Sequence, residues 1–145
     1  MKNALKFLKD NILYIGWVQA ILGVGGSLFF SEVMHYPPCV LCWWQRVVIY
    51  PMVVLFAVAI YRKDRNVFWY AMPLLVVGWL VSLFHNLLYY KLIPDELAPC
   101  ALGVSCTTKF VEYFGFVTIP LMAFVSLNVM IASLIIFYKN NNVAK

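Results

Sequence analysis

The chain has 145 residues, 64% of them hydrophobic and 12% charged, with a mean hydropathy of +0.85. That balance excludes a soluble domain of this length and indicates an integral membrane protein. The net charge of +5 does not point to nucleic acid, because the basic residues collect at the ends of apolar runs, where lipid and topology account for them.

A spanning helix needs ~20 apolar residues, and four runs meet that need: 12–30, 43–61, 67–90 and 114–138. The expected fold class is all-α, a four-transmembrane-helix bundle that uses 1–145 as a single domain, with loops 31–42 and 91–113 on its outward side. The first run follows Lys2, Lys6 and Lys9, and its length argues for a retained span. The alternative there is a cleaved signal peptide, for which Gly25, Gly26 and Ser27 supply the small residues. Gly16, Gly23 and Gly26 let this helix approach a neighbour closely, and Gln19 at mid-depth reads as a helix-packing feature.

The second run opens on PPCVLCWWQR, 37–46, which sets Cys39 and Cys42 where a polar junction becomes apolar. Unpaired N–H groups and the positive dipole end of a helix favour a thiolate in the first turn, and Arg46 adds a positive charge one turn past Cys42. Cys42 is therefore expected to be the more acidic and more reactive thiol. Pro51 should kink this helix. Arg62, Lys63, Asp64 and Arg65 form a tight basic turn into the third run, which carries His85 about one turn inside its outer end. His85 has a structural role open to it, as a hydrogen-bond partner of Asn86 or Gln45. A second polar loop then holds Cys100 and Cys106 in LAPCALGVSC, kept irregular by Pro94, Pro99 and Gly103, before the fourth run and a polar tail.

Basic residues decide the orientation. Lys2, Lys6, Lys9, Arg62, Lys63, Arg65, Lys139 and Lys145 fall on one side and Arg46, Lys91 and Lys109 on the other, which puts both termini in the cytoplasm. All four cysteines then face out of a bacterial plasma membrane, where disulfides are the default state of paired thiols. A cysteine pair at a helix start can cycle by in-line exchange, and a second pair on a loop can reach a soluble protein and swing back; two pairs in series suggest an electron relay. Trp43, Trp44, Phe84, Tyr89, Tyr90, Tyr113, Phe114 and Phe116 gather near the same helix ends. An interfacial belt accounts for most of them; a site for a lipid-soluble acceptor is the sharper reading, favoured by Cys42, Arg46 and His85 in one leaflet.

CVLCWWQR with its downstream arginine, the loop pair PCALGVSC, His85 and the FGFVTIP that leads into the fourth run resemble the DsbB-type disulfide-bond-forming membrane proteins, and most closely their short Gram-positive BdbC subgroup. The resemblance covers the whole chain. It implies a four-helix bundle that re-oxidises an extracytoplasmic thioredoxin-like partner of the DsbA or BdbD kind and passes the electrons to a membrane quinone, menaquinone rather than ubiquinone. By position it implies that Cys100 forms the mixed disulfide with the partner, that Cys106 is its loop companion and that Cys39 exchanges with the loop pair. Cys42 would face the quinone as a thiolate, with Arg46 on a quinone oxygen and His85 nearby. Gln45 stands where the Gram-negative form has an acidic residue, and the loop cysteines here lie much closer together than in that form.

Three other readings compete. A vitamin K epoxide reductase-like enzyme also couples loop cysteines to a CxxC and a quinone, but usually with its loop pair first in the chain. A non-enzymatic protein could bind a soft metal through four thiolates. The pairs could also merely staple the loops, although so short a closed loop contributes little stability. No metal is expected.

Overall fold

A computed structural model describes residues 11–94, 106, 112–113 and 117–143. Four helices long and apolar enough to cross a membrane make up nearly all of it. Helix α1 spans Ile12–Leu28, α2 Val40–Arg62, α3 Val67–Tyr89 and α4 Ile119–Val143. Each packs against two neighbours: α1 lies between α2 and α4, α3 closes the ring between the same two, and the diagonal contact of α2 with α4 is slight. The all-helical four-span architecture is therefore as expected from the apolar runs.

The helix ends differ from the sequence expectation in ways that shape the site. Helix α1 does not stop at Phe30; it widens into a π turn, Phe29–Val33, in which Met34 N–H reaches back to the Phe29 carbonyl. His35 at φ 53° then breaks the helix in the left-handed region. Pro37 and Pro38 hold the chain extended, since a residue before proline is pushed out of the helical region. Cys39 follows them with the extended backbone of an N-cap, φ −73° and ψ 170°, so helix α2 starts at Val40 and Cys42 lies inside its first turn instead of in the preceding loop. Helix α2 runs on through Pro51 to Lys63, whose left-handed conformation closes it.

The fourth helix starts at Ile119, later than the Phe114 read from hydropathy. Val117–Thr118 pairs with Glu112–Tyr113 in a short antiparallel ladder. Thr118 Oγ1 accepts from Leu121 N–H at 3.4 Å, and Pro120 has no N–H to offer, so the start of α4 is fixed there.

The main core lies at mid-bundle, where Met52 and Phe56 of α2, Leu75 of α3 and Leu127, Met130 and Leu134 of α4 are fully enclosed. Gly16 is where α1 comes closest to α4, because a Cβ there would collide with Ser133 Oγ. Gly23 likewise faces Ser126 and Ile49, whereas a Cβ on Gly26 would meet nothing within 4 Å. The expectation of a close helix approach thus fails at Gly26, which borders open space.

Candidate functional site

A second, smaller apolar cluster sits at the other end of the bundle and is built around sulfur. Cys39, Leu41, Leu88 and Cys106 are buried together, with Cys42, Val81, Phe84 and Ile93 packed against them. Cys39 and Cys42 are free thiols, while Cys106 is disulfide-bonded. Cys100 lies outside the described residues. Three of the four predicted cysteines are thus placed, and the described loop cysteine is stacked on the helix-start pair.

The extended N-cap explains the electrostatics. Cys39 Sγ accepts from Cys42 N–H at 3.4 Å, lies 2.9 Å from Cys42 Sγ and 3.8 Å from His85 Nε2. These donors hold the Cys39 thiol far below the usual range, at about 4: the Cys42 thiol contributes most and the His85 ring adds to it, against the opposing effect of burial. The sequence placed the acidic sulfur at Cys42. Because Cys39 is the N-cap of a helix that begins at Val40, the Cys42 thiol, the His85 ring and, least of the three, the Cys42 N–H all donate to it, and Cys39 is the sulfur they stabilise.

His85, 2% exposed, ties the two cysteine elements together. Its Nδ1 pairs with Gln45 Nε2 at 3.3 Å and its Nε2 with the Cys106 carbonyl at 3.2 Å. An amide N–H can only donate and a carbonyl can only accept, so this arrangement selects the neutral tautomer with its proton on Nε2. Of the two partners the sequence suggested for His85, Gln45 is the one found. Asn86 donates to the Ser82 and Pro120 carbonyls at 2.8 and 3.0 Å, linking α3 to the start of α4.

Arg46 does not reach freely into the lipid boundary. It donates to the Ser27 carbonyl at the end of α1, at 3.1 Å, and its guanidinium sits 5.3 Å from the Trp43 ring centroid. Between α1, α2 and α4 lies a cavity of about 250 Å³ that Cys39, Cys42, Arg46 and His85 border. Its aromatic lining is Phe30, Tyr36 and Tyr50, none of them among the eight aromatics singled out from the sequence. Trp43, Trp44 and Tyr90 are exposed instead, as an interfacial belt requires.

Sequence reasoning missed Tyr50 altogether, and it placed Gln19 only as a packing residue. Tyr50 lies one helical turn beyond Arg46, and its buried hydroxyl has no hydrogen-bond partner among the described residues. Gln19 Nε2 donates to Ser126 Oγ in the wall of the same cavity. The ligand atoms of Cys39, Cys42 and His85 also lie within 4.8 Å of one another, a compact set for a soft metal. A four-thiolate centre is not available, however, because Cys106 is already bonded through its sulfur.

Comparison with known proteins gives a consistent result. The family model described as "Disulfide bond formation protein DsbB" matches residues 9–138. The chain is 45% identical over 118 residues to the probable disulfide formation protein of Oceanobacillus iheyensis, covering 79% of each chain. It is 37% identical over 128 residues to disulfide bond formation protein C of Bacillus subtilis, covering 87% of this chain and 88% of that one. A probable disulfide formation protein of Metapseudomonas resinovorans is 41% identical over 127 residues, covering 87% and 88%. No solved structure gives a significant match.

Proposed function

The chain belongs to the DsbB family of disulfide bond formation proteins, and we propose that it re-oxidises an extracytoplasmic thioredoxin-like protein of the DsbA or BdbD type and delivers the electrons to a membrane quinone. It is a multi-pass membrane protein with thiol–disulfide oxidoreductase activity. The observation that carries the finer reading is the burial of Cys106 in one cluster with Cys39, its carbonyl held by His85.

In the exchange, a thiolate of the partner attacks Cys100 Sγ and breaks the bond to Cys106, which leaves as a thiolate. Cys106 then attacks Cys39 Sγ of an oxidised Cys39–Cys42 pair, and Cys42 leaves. The partner's second thiol resolves its bond to Cys100, and Cys100 in turn attacks Cys106 and releases Cys39. Cys39 is a good leaving group because its thiolate is the stabilised form at neutral pH. The partner has lost two electrons and two protons, the loop disulfide is restored, and Cys39 and Cys42 hold a dithiol. Free Cys39 and Cys42 beside a bonded Cys106 are the state such an exchange ends in, whatever its order.

A quinone would supply the acceptor for those two electrons and two protons. The cavity fits such a group: its walls are mainly apolar, Gly26 leaves space on one side, and the Tyr50 hydroxyl is a donor without a partner among the described residues. Cys42 and Arg46 border the mouth of that cavity, so Arg46 would bind a ring oxygen and offset negative charge there while Cys42 meets the ring. His85 stands behind the dithiol and holds its donor proton on Nε2. The BdbC likeness favours menaquinone. The basic-residue count favours cytoplasmic termini and extracytoplasmic cysteines.

Purified protein mixed with a reduced thioredoxin-like substrate and a soluble quinone analogue should bleach the quinone absorbance, and Cys42→Ser should abolish the bleaching. Undiminished turnover in Cys42→Ser would refute the reading.

A further inference from the structure

The cavity that Cys42 borders extends along α2 to Tyr50 and along α1 to Gln19, and it carries polar groups for which disulfide exchange has no use. Gln19 of α1 donates to Ser126 Oγ of α4 at 3.1 Å. Ser126 is 6% exposed, and its own hydroxyl proton finds no acceptor among the described residues. Both residues line the cavity. A buried hydroxyl that accepts but does not donate is incompletely satisfied, and a ligand oxygen would complete it.

The spacing identifies the ligand chemistry. Ser126 Oγ stands 3.3 Å from where a Cβ on Gly23 would be, so it lies level with Gly23 on α1. Arg46 reaches the Ser27 carbonyl on the same helix. Four residues of α-helix rise ~6 Å, so the guanidinium and the Ser126 hydroxyl stand about one helical turn apart, near enough for two opposed carbonyls of one ring to address both. Gly26, where an added Cβ would meet nothing within 4 Å among the described residues, leaves room for a flat ring between the two levels.

We infer that the Gln19–Ser126 pair is a second anchor for the quinone: Arg46 takes one ring oxygen and the Ser126 hydroxyl, held in place by Gln19, donates to the other. This rests on the quinone reading above. The pair is a binding and positioning element with no part in sulfur chemistry, and it makes the site selective for rings with two opposed carbonyls over rings with one.

The test is equilibrium binding to the detergent-solubilised full-length protein, with Cys39 and Cys42 oxidised so that no turnover occurs. The probes are menadione, which has two opposed carbonyls, and α-tetralone, a two-ring ketone with one. The wild type should bind menadione more tightly by roughly five- to tenfold, the effect of one neutral hydrogen bond. Ser126→Ala and Gln19→Leu should bring that ratio close to one by weakening menadione alone, and their unchanged α-tetralone affinity reports an intact fold. Should Ser126→Ala lose α-tetralone as well, Gln19→Leu decides. A ratio that stays at its wild-type value in a variant that still binds α-tetralone overturns the second anchor and leaves the quinone reading standing. A wild type that binds neither probe overturns both.

Discussion

Nε2 of His85 lies 3.2 Å from the carbonyl oxygen of Cys106, so a residue of α3 holds the loop cysteine by its backbone against the N-cap of α2. The same nitrogen is 3.8 Å from Cys39 Sγ. One imidazole therefore contacts the Cys39 sulfur and holds the backbone of Cys106, and in the exchange proposed above these are the sulfur that leaves and the residue whose sulfur attacks.

Removing His85 should affect both functions. In the reduced protein the Cys39 pKa is depressed to about 4, so the stabilisation of the thiolate is fully present above the pKa of an unfolded thiol and is lost as pH falls through about 4. The ultraviolet absorbance of the thiolate should persist at neutral pH in the wild type and titrate at higher pH in His85→Leu. Because a stabilised dithiol makes a pair more oxidising, the His85→Leu pair should also show a more negative reduction potential. An unchanged titration and an unchanged potential would remove His85 from this role.

Gln45 sets the His85 tautomer. Gln45→Leu leaves Nδ1 buried without a donor, which costs about 1–3 kcal/mol of stability. Gln45→Glu presents an acceptor instead, which favours the tautomer with its proton on Nδ1 and removes the Nε2 donor to the Cys106 carbonyl. Nitrogen NMR of labelled histidine should report the Nε2–H tautomer in the wild type and the Nδ1–H tautomer in Gln45→Glu.

Gly16 and Gly26 should respond oppositely to alanine. A methyl at Gly16 collides with Ser133 Oγ and should destabilise the α1–α4 contact by about 1–3 kcal/mol. Ser133→Ala in the same chain should recover part of that loss, since it removes the oxygen in the way. Gly26→Ala should raise stability by roughly 0.5–1 kcal/mol, because nothing among the described residues lies within 4 Å of the added carbon and alanine is the better helix former. Equal losses at the two positions would contradict the packing described.

Asn86 should act as a clamp. Its side chain bridges the Ser82 and Pro120 carbonyls from a buried position, so Asn86→Leu leaves the Pro120 carbonyl at the head of α4 without that donor and should cost about 1–3 kcal/mol. Hydrogen exchange should rise in the first turn of α4 before it rises at mid-bundle. Uniform loss of protection would argue against a local clamp.

The four spans were legible because each is a long apolar run with few charges, a signal that hydropathy carries without any knowledge of neighbours. The CxxC at a helix start and the second cysteine pair were legible for a similar reason: their chemistry is local in sequence. Cys39 was misjudged because the sequence reading favoured the sulfur inside the first turn, whereas the N-cap sulfur is the one that receives the Cys42 thiol, the Cys42 N–H and the ring of His85, a residue 46 positions away. The start of α4 was misread because Thr118 and Pro120 govern it and hydropathy does not. Gln19–Ser126, Arg46–Ser27 and the place of Tyr50 were out of reach, because each depends on how a helix apolar on all sides is rotated, and such a helix shows little moment in its sequence.

The central claim is that electrons cross from the loop pair to the helix pair through a bond between Cys106 and Cys39. A chain carrying Cys42→Ser and Cys100→Ser keeps only those two sulfurs, and non-reducing peptide mapping after mild oxidation reads their fate. A Cys39–Cys106 disulfide within one chain is the result expected. Two free thiols, or only disulfides between chains, would contradict the relay.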